Sequence, residues 1–166
     1  MINTSDKRIY VDMDGVICSF LEGVSRITGV ELKTHADWTA HRNEGWQAID
    51  ALGVDFWENL EWTKDGKDLW NYVTSISTPT ILSAHPTHNI EPAIEGKLRW
   101  IRNNLGKYYA HRAHILPAVD KQLFAGEDII LIDDSELNIQ QWRAKKGLGI
   151  LHCDTPTSIE VLKSIK

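Results

Sequence analysis

Short apolar runs rich in β-branched residues recur along the chain: Arg8-Ile9-Tyr10-Val11-Asp12, Pro79-Thr80-Ile81-Leu82-Ser83, Ala113-His114-Ile115-Leu116, Asp128-Ile129-Ile130-Leu131-Ile132 and Leu148-Gly149-Ile150-Leu151-His152. Their hydrophobicity is continuous rather than alternating, as strands buried on both faces require, and this predicts a parallel sheet covered by helices. Between the runs the period becomes helical. Ile17, Phe20, Leu21, Val24 and Ile27 repeat until Gly29 offers a stop, and Ile94, Leu98, Ile101 and Leu105 form a stripe ahead of Gly106. Ser135 to Lys146 predicts another helix, with a capping serine, two lysines in its last turn and Gly147 after it. Strands alternating with helices imply an α/β, doubly wound, three-layer core. The stretch 30–73 breaks the rhythm. It has no clear buried strand and holds five of the seven tryptophans, Trp38, Trp46, Trp57, Trp62 and Trp70. It reads as a small helical cap inserted after the first strand and helix, leaving 1–29 and 74–166 as the core.

A chain of 166 residues suits one compact unit with a small insertion. Its 18 basic and 23 acidic residues give a net charge of −5, which argues against long nucleic acids and anionic membranes as partners and leaves a small anionic substrate open. No apolar run approaches the roughly 18 residues that span a bilayer, and the start MINTSDKRIYVDMDG lacks the apolar centre of a secretion signal, so a cytoplasmic protein is expected. Cys18 and Cys153 lie in apolar segments without ligand spacing and are expected as buried thiols. The pairs His85/His88 and His111/His114 lack a cysteine or carboxylate at zinc spacing, and no glycine-rich nucleotide loop is present.

In an open parallel sheet, ligands bind beyond the carboxyl ends of the strands. Three of the strands here end in polar residues: Asp12-Met13-Asp14-Gly15, Ser83, and Asp133-Asp134. Four carboxylates at adjacent strand ends would repel one another in a half-buried crevice unless a divalent cation sat among them. All-oxygen ligation with room for water and phosphate favours Mg2+.

In combination these segments resemble the haloacid dehalogenase (HAD) superfamily, whose four short motifs occur in order. Ile9-Tyr10-Val11-Asp12-Met13-Asp14-Gly15-Val16 is similar to the first, Ile81-Leu82-Ser83 to the second, and Leu131-Ile132-Asp133-Asp134 to the fourth. The third, a lysine, is best matched by Lys97, at the border of its helix's apolar stripe. Lys121, ahead of the fourth strand, is a rival expected at the surface. The resemblance implies a Rossmann-like core and a phosphatase working through an aspartyl-phosphate. It makes Asp12 the nucleophile and Asp14 the acid/base, whose main-chain carbonyl is also on the metal. Ser83 and Lys97 would bind the phosphoryl oxygens. Asp133 would bind Mg2+ directly and Asp134 through water. A carboxylate becomes a competent nucleophile toward phosphorus once the charge on the phosphoryl oxygens is neutralised.

Within the superfamily the 5'(3')-deoxyribonucleotidases are the closest likeness, through Phe56-Trp57-Glu58-Asn59-Leu60, Gly96-Lys97-Leu98-Arg99-Trp100-Ile101 with Leu105-Gly106, and Asn138. The likeness implies a nucleoside monophosphate substrate, with Phe56, Trp57, Trp38 and Trp46 as stacking surfaces for its base. Those enzymes follow the hydroxyl residue with serine and proline. Here Ser83-Ala84-His85-Pro86 stands instead, with His85 as a different donor near the leaving group. A sugar phosphate or phosphoglycolate-like acid, or a catalytically silent binding protein, are the alternatives. A homodimer remains compatible with this reading.

Overall fold

The structure, a computed structural model, describes residues 7–165. In chain order the first elements are β1 (Arg8–Val11), α1 (Phe20–Thr28), α2 (His35–Leu52), α3 (Val54–Glu58), α4 (Gly66–Ile76), β2 (Thr80–Ala84), α5 (Ile90–Asn104) and α6 (Lys107–Arg112). After them come β3 (His114–Leu116), a 3-10 helix (Ala118–Phe124), β4 (Ile129–Asp133), α7 (Glu136–Ala144), β5 (Leu148–Leu151) and α8 (Thr155–Ser164). Packing divides the chain into two compact units, one of residues 1–18, 62–85 and 112–166, the other of residues 19–61 and 86–111.

The first unit holds a five-stranded sheet of order β3-β2-β1-β4-β5, in which every neighbouring pair is parallel. All five apolar runs are strands. The inner strands β1, β2 and β4 are buried along most of their length, and the edge strands β3 and β5 only in part. This explains why the inner runs are the most uniformly apolar. Tyr10, Leu82, Leu131, Ile139 and Trp142 form a buried cluster, with Phe124 and Trp142 edge-on to Tyr10 at 5.7 Å. The indole of Trp142 donates to the Ile129 carbonyl at 3.1 Å, satisfying its one polar atom inside the core. α7 begins at Ser135, whose hydroxyl accepts from the Asn138 amide, as the capping signal predicts.

The first helix begins at Phe20, later than its apolar period suggests, because the chain after β1 is held in a loop. The Met13 carbonyl accepts from the amides of Val16, Ile17 and Cys18 at 3.1, 2.9 and 2.9 Å. Val16 and Ile17 are fully buried in that loop rather than on a helix.

In the second unit α1 packs on α2, and α3 packs on α5. The contact between α3 and α5 is close: a Cβ at Gly96 would lie 2.5 Å from the Trp57 Cβ and 2.6 Å from the Val54 carbonyl oxygen. The buried face of α5 is Ala93, Gly96, Lys97, Trp100 and Ile101, whereas Ile94, Leu98 and Leu105 of the predicted stripe are only half-buried. The Trp100 indole donates to the Leu60 carbonyl at 2.7 Å. The sequence division into 1–29, 30–73 and 74–166 differs from these units, since α1 lies on α2, and α4 lies on α8 in the first unit. Among the described residues no helix is long and apolar enough to cross a membrane.

Candidate active site

Strand order reverses at β1, with β2 and β3 extending the sheet on one side and β4 and β5 on the other, and the ends of β1 and β4 carry the acids. The register pairs Tyr10 with Leu131 and Val11 with Ile132, and the Asp12 amide continues the ladder by donating to the Ile132 carbonyl at 3.0 Å. Asp12 and Asp133 therefore stand side by side. Both are buried, at 6% and 0% exposure. Lys121, on the 3-10 helix, reaches between them with its ammonium 2.9 Å from Asp12 Oδ1 and 2.7 Å from Asp133 Oδ2. Asp133 also accepts from the Ser135 amide at 2.8 Å and from Asn138 Nδ2 at 3.0 Å, which fixes both of its oxygens. Asp134 turns its carboxyl against Gly15, where a Cβ would lie 2.0 Å from Asp134 Oδ2. Gly15 has a φ of +77°, so the missing side chain serves both the turn and the approach. Ser83 is fully buried on β2.

The charges do not balance. Burial and then the Asp133 charge push Asp12 up to about 7, against the pull of Lys121. Loss of water around its carboxyl, then the charges of Asp12, Asp133 and Asp14, push Asp134 up to about 8, although the residue as a whole is exposed. Burial would lower the Lys121 ammonium, but Asp12 and Asp133 override it and hold the group well above the usual lysine value, permanently charged. The Lys121 charge thus offsets only part of the negative charge around it. Oxygens of Asp12, Asp133 and Asp134 lie within 4.8 Å of one another, close to the roughly 4 Å that spans an octahedral magnesium ion. Hard oxygen donors with excess negative charge fit Mg2+.

No protein-family profile and no curated protein matches the chain. Solved structures do. A hydrolase from Streptococcus pneumoniae TIGR4 superposes with a TM-score of 0.55 at 10% identity, covering 95% of this chain and 98% of the other. A HAD-hydrolase of Bacillus subtilis bound to magnesium gives 0.53 at 11% identity, covering 95% and 99%. A HAD-superfamily hydrolase, subfamily IA, variant 1, from Geobacter sulfurreducens gives 0.52 at 10%, covering 97% and 100%. The chain has the haloacid dehalogenase-like fold.

Within this HAD-like core, the residues expected together from the sequence fall into two groups. Asp12, Asp14, Asp133 and Asp134 share one cluster, in which the charges of Asp133 and Asp14 act on both Asp12 and Asp134. Lys121, expected at the surface, is instead 2% exposed and touches that cluster. Lys97 belongs to the second unit, where it is fully buried with its ammonium 4.9 Å from the centre of the Trp57 ring. The sequence ranks Lys121 behind Lys97 because its 3-10 helix has no long apolar period. Its one sequence signal was a place just ahead of the acid-ending strand. Asn138, met only as part of a family likeness, holds Asp133.

Phe56 and Trp57 are enclosed at 4% and 3% exposure, packed with Phe20, while Trp38 and Trp46 are half-buried in the same aromatic cluster. His85 follows β2 and donates its amide to the Leu116 carbonyl at 3.1 Å. His88 instead pairs with Asp50 at 3.2 Å beside Trp46. Cys18 is buried as expected, but Cys153 is exposed, because it stands in the turn between β5 and α8.

Proposed function

We propose that the chain is a magnesium-dependent phosphomonoesterase acting on a small phosphorylated metabolite through an aspartyl-phosphate on Asp12. The observation that carries this reading is the pairing of Asp12 and Asp133 at the switch point of the sheet, clamped by Lys121 and facing Asp134. Asp12, Asp133 and Asp134 would hold Mg2+, with the main-chain carbonyl of Asp14 as a further ligand. When bound, the ion would neutralise phosphoryl oxygens and lower the pKa values of the carboxylates around it.

The chain's own residues supply the rest. Asp12 attacks phosphorus, and Lys121 keeps its carboxylate oriented while offsetting part of its charge. Asp14 protonates the leaving oxygen and then takes a proton from the water that cleaves the acyl phosphate, work worth roughly 10²–10⁴-fold. The buried Ser83 hydroxyl receives a phosphoryl oxygen.

A nucleoside monophosphate is the favoured substrate. The likeness to 5'(3')-deoxyribonucleotidases supports it, as does an aromatic-rich second unit in which the half-buried Trp38 and Trp46 are the rings best able to stack on a base, at roughly 1–3 kcal/mol each. The stretch 30–73 is the proposed cap, and the cytoplasm the proposed setting. The test is release of inorganic phosphate from a panel of nucleotides, sugar phosphates and p-nitrophenyl phosphate, with magnesium and with chelator. Expected are magnesium-dependent turnover, fastest on a nucleotide, and loss of nearly all of it in Asp12→Asn. Full activity in chelator, or in Asp12→Asn, would overturn the mechanism. Preference for a sugar phosphate would overturn only the substrate.

A further inference from the structure

Of the apolar row that the sequence displays on α5, the fold fully buries Ile101 alone. Ala93, Gly96, Lys97, Trp100 and Ile101 are the buried side of this helix, which packs on α3. Ile94 and Leu98 stay half-buried and, with Glu91, Glu95, Arg99 and Arg102, line an open groove of about 480 Å3 along the helix. Ile90, one turn before Ile94, is 38% exposed. Apolar residues at i, i+4 and i+8 on the solvent side give this helix a second apolar face, which a monomer leaves in water.

The charges beside that row are ordered. Glu91 and Glu95 lie in the N-terminal half, Arg99 and Arg102 in the C-terminal half, all exposed. The helix dipole favours that order, and Arg99 pairs with Glu95 and Glu58 of its own chain. Neither effect accounts for the apolar row between the charges.

We propose that this face of α5 is the interface of a homodimer in which two copies of α5 pack antiparallel about a two-fold axis near residues 96 and 97. A two-fold interface must be complementary to itself. Glu91 and Arg102 are eleven residues and so about 16 Å apart, symmetric about that axis. Antiparallel packing therefore sets Glu91 of each copy against Arg102 of the other and brings Glu95 close to Arg99 across the axis. Ile94 and Leu98 of both copies close the centre at the 8–10 Å spacing of packed helices. Parallel packing would oppose like charges along the whole row.

The reaction proposed above plays no part in this inference. The test is sedimentation equilibrium of the full chain between about 5 and 500 µM, a range bracketing micromolar association. The mass is expected to rise from that of one chain toward that of two. Glu91→Arg or Arg102→Glu alone should weaken association by about tenfold or more through like-charge contact. Mixing the two variants should restore it, because each then meets its opposite. A mass that stays at one chain, a dimer indifferent to both reversals, or single variants whose mixture stays dissociated would each overturn the proposal.

Discussion

At the scale of single residues, the carboxylate cluster depends on Gly15 and Lys121. Gly15 combines φ +77° with a Cβ position 2.0 Å from Asp134 Oδ2. A left-handed backbone costs a non-glycine residue roughly 1–2 kcal/mol, and the added methyl would push the carboxyl away, since the end of an aspartate can turn aside more easily than a strand can move. Gly15→Ala should therefore stay folded but need about tenfold more magnesium for half-maximal phosphate release, the usual effect of misplacing a ligand's support. A magnesium titration checks this, and an unchanged requirement would remove Asp134 from the ion's surroundings. Lys121 touches both Asp12 and Asp133. Lys121→Met leaves two buried acids uncompensated, so in chelator it should lower stability by about 3–5 kcal/mol, as broken buried ion pairs do. Denaturant unfolding measures it. A loss below about 1 kcal/mol would show that the lysine does no more than an exposed ion pair would.

At the scale of elements, α3 and α5 decide what the aromatic residues can do. Their close approach at Gly96 seats Trp57 under the ammonium of Lys97 and beside Phe20, whose ring is stacked on it at 5.9 Å. A ring so enclosed is a packing residue first. Trp57→Ala should cost about 3–5 kcal/mol of stability through the cavity it leaves. Trp46, half-buried in the same cluster, should cost less on truncation and act on substrate instead. Trp46→Ala is expected to raise the Michaelis constant for a nucleotide several-fold while sparing p-nitrophenyl phosphate, which has no base to stack. Steady-state kinetics on both substrates and a melting curve for each variant separate the two roles. Equal losses on both substrates would make Trp46 a packing residue too.

At the scale of the whole molecule, the acid cluster ties stability to pH and to the ion. Asp12 and Asp134 hold protons up to about pH 7 and 8 when folded, against 3.8 for the free side chain, so folding takes up protons. Their contribution is fully present below pH 4 and is lost as pH rises to about 8. His152 works the other way, because burial lowers it from 6.5, so its effect has ended by about pH 7. In chelator the melting temperature should therefore fall between pH 6.5 and 8.5 by a few degrees, where about 1 kcal/mol moves a domain of this size by roughly 2–4 °C. Magnesium should cancel most of the fall and stabilise more at the higher pH, and Asp134→Asn should flatten the profile without it. A melting temperature independent of both pH and magnesium would mean that the cluster holds no ion. The chain's local patterns determined a good deal of this molecule. Continuous apolar runs predicted every strand and their parallel arrangement, and acids at the ends of β1 and β4 marked the site, because burial on both faces and the polarity of a strand end act on neighbouring residues. Three matters were decided only by tertiary structure: the burial of Lys121 between Asp12 and Asp133, which face of α5 is buried, and which helices α1 and α4 pack against. The physical reason is common to all three. A lysine is buried where distant carboxylates compensate its charge, and a helix hides whichever face its partner covers, so Lys121 and Lys97 both read as polar in the sequence while the fold encloses both.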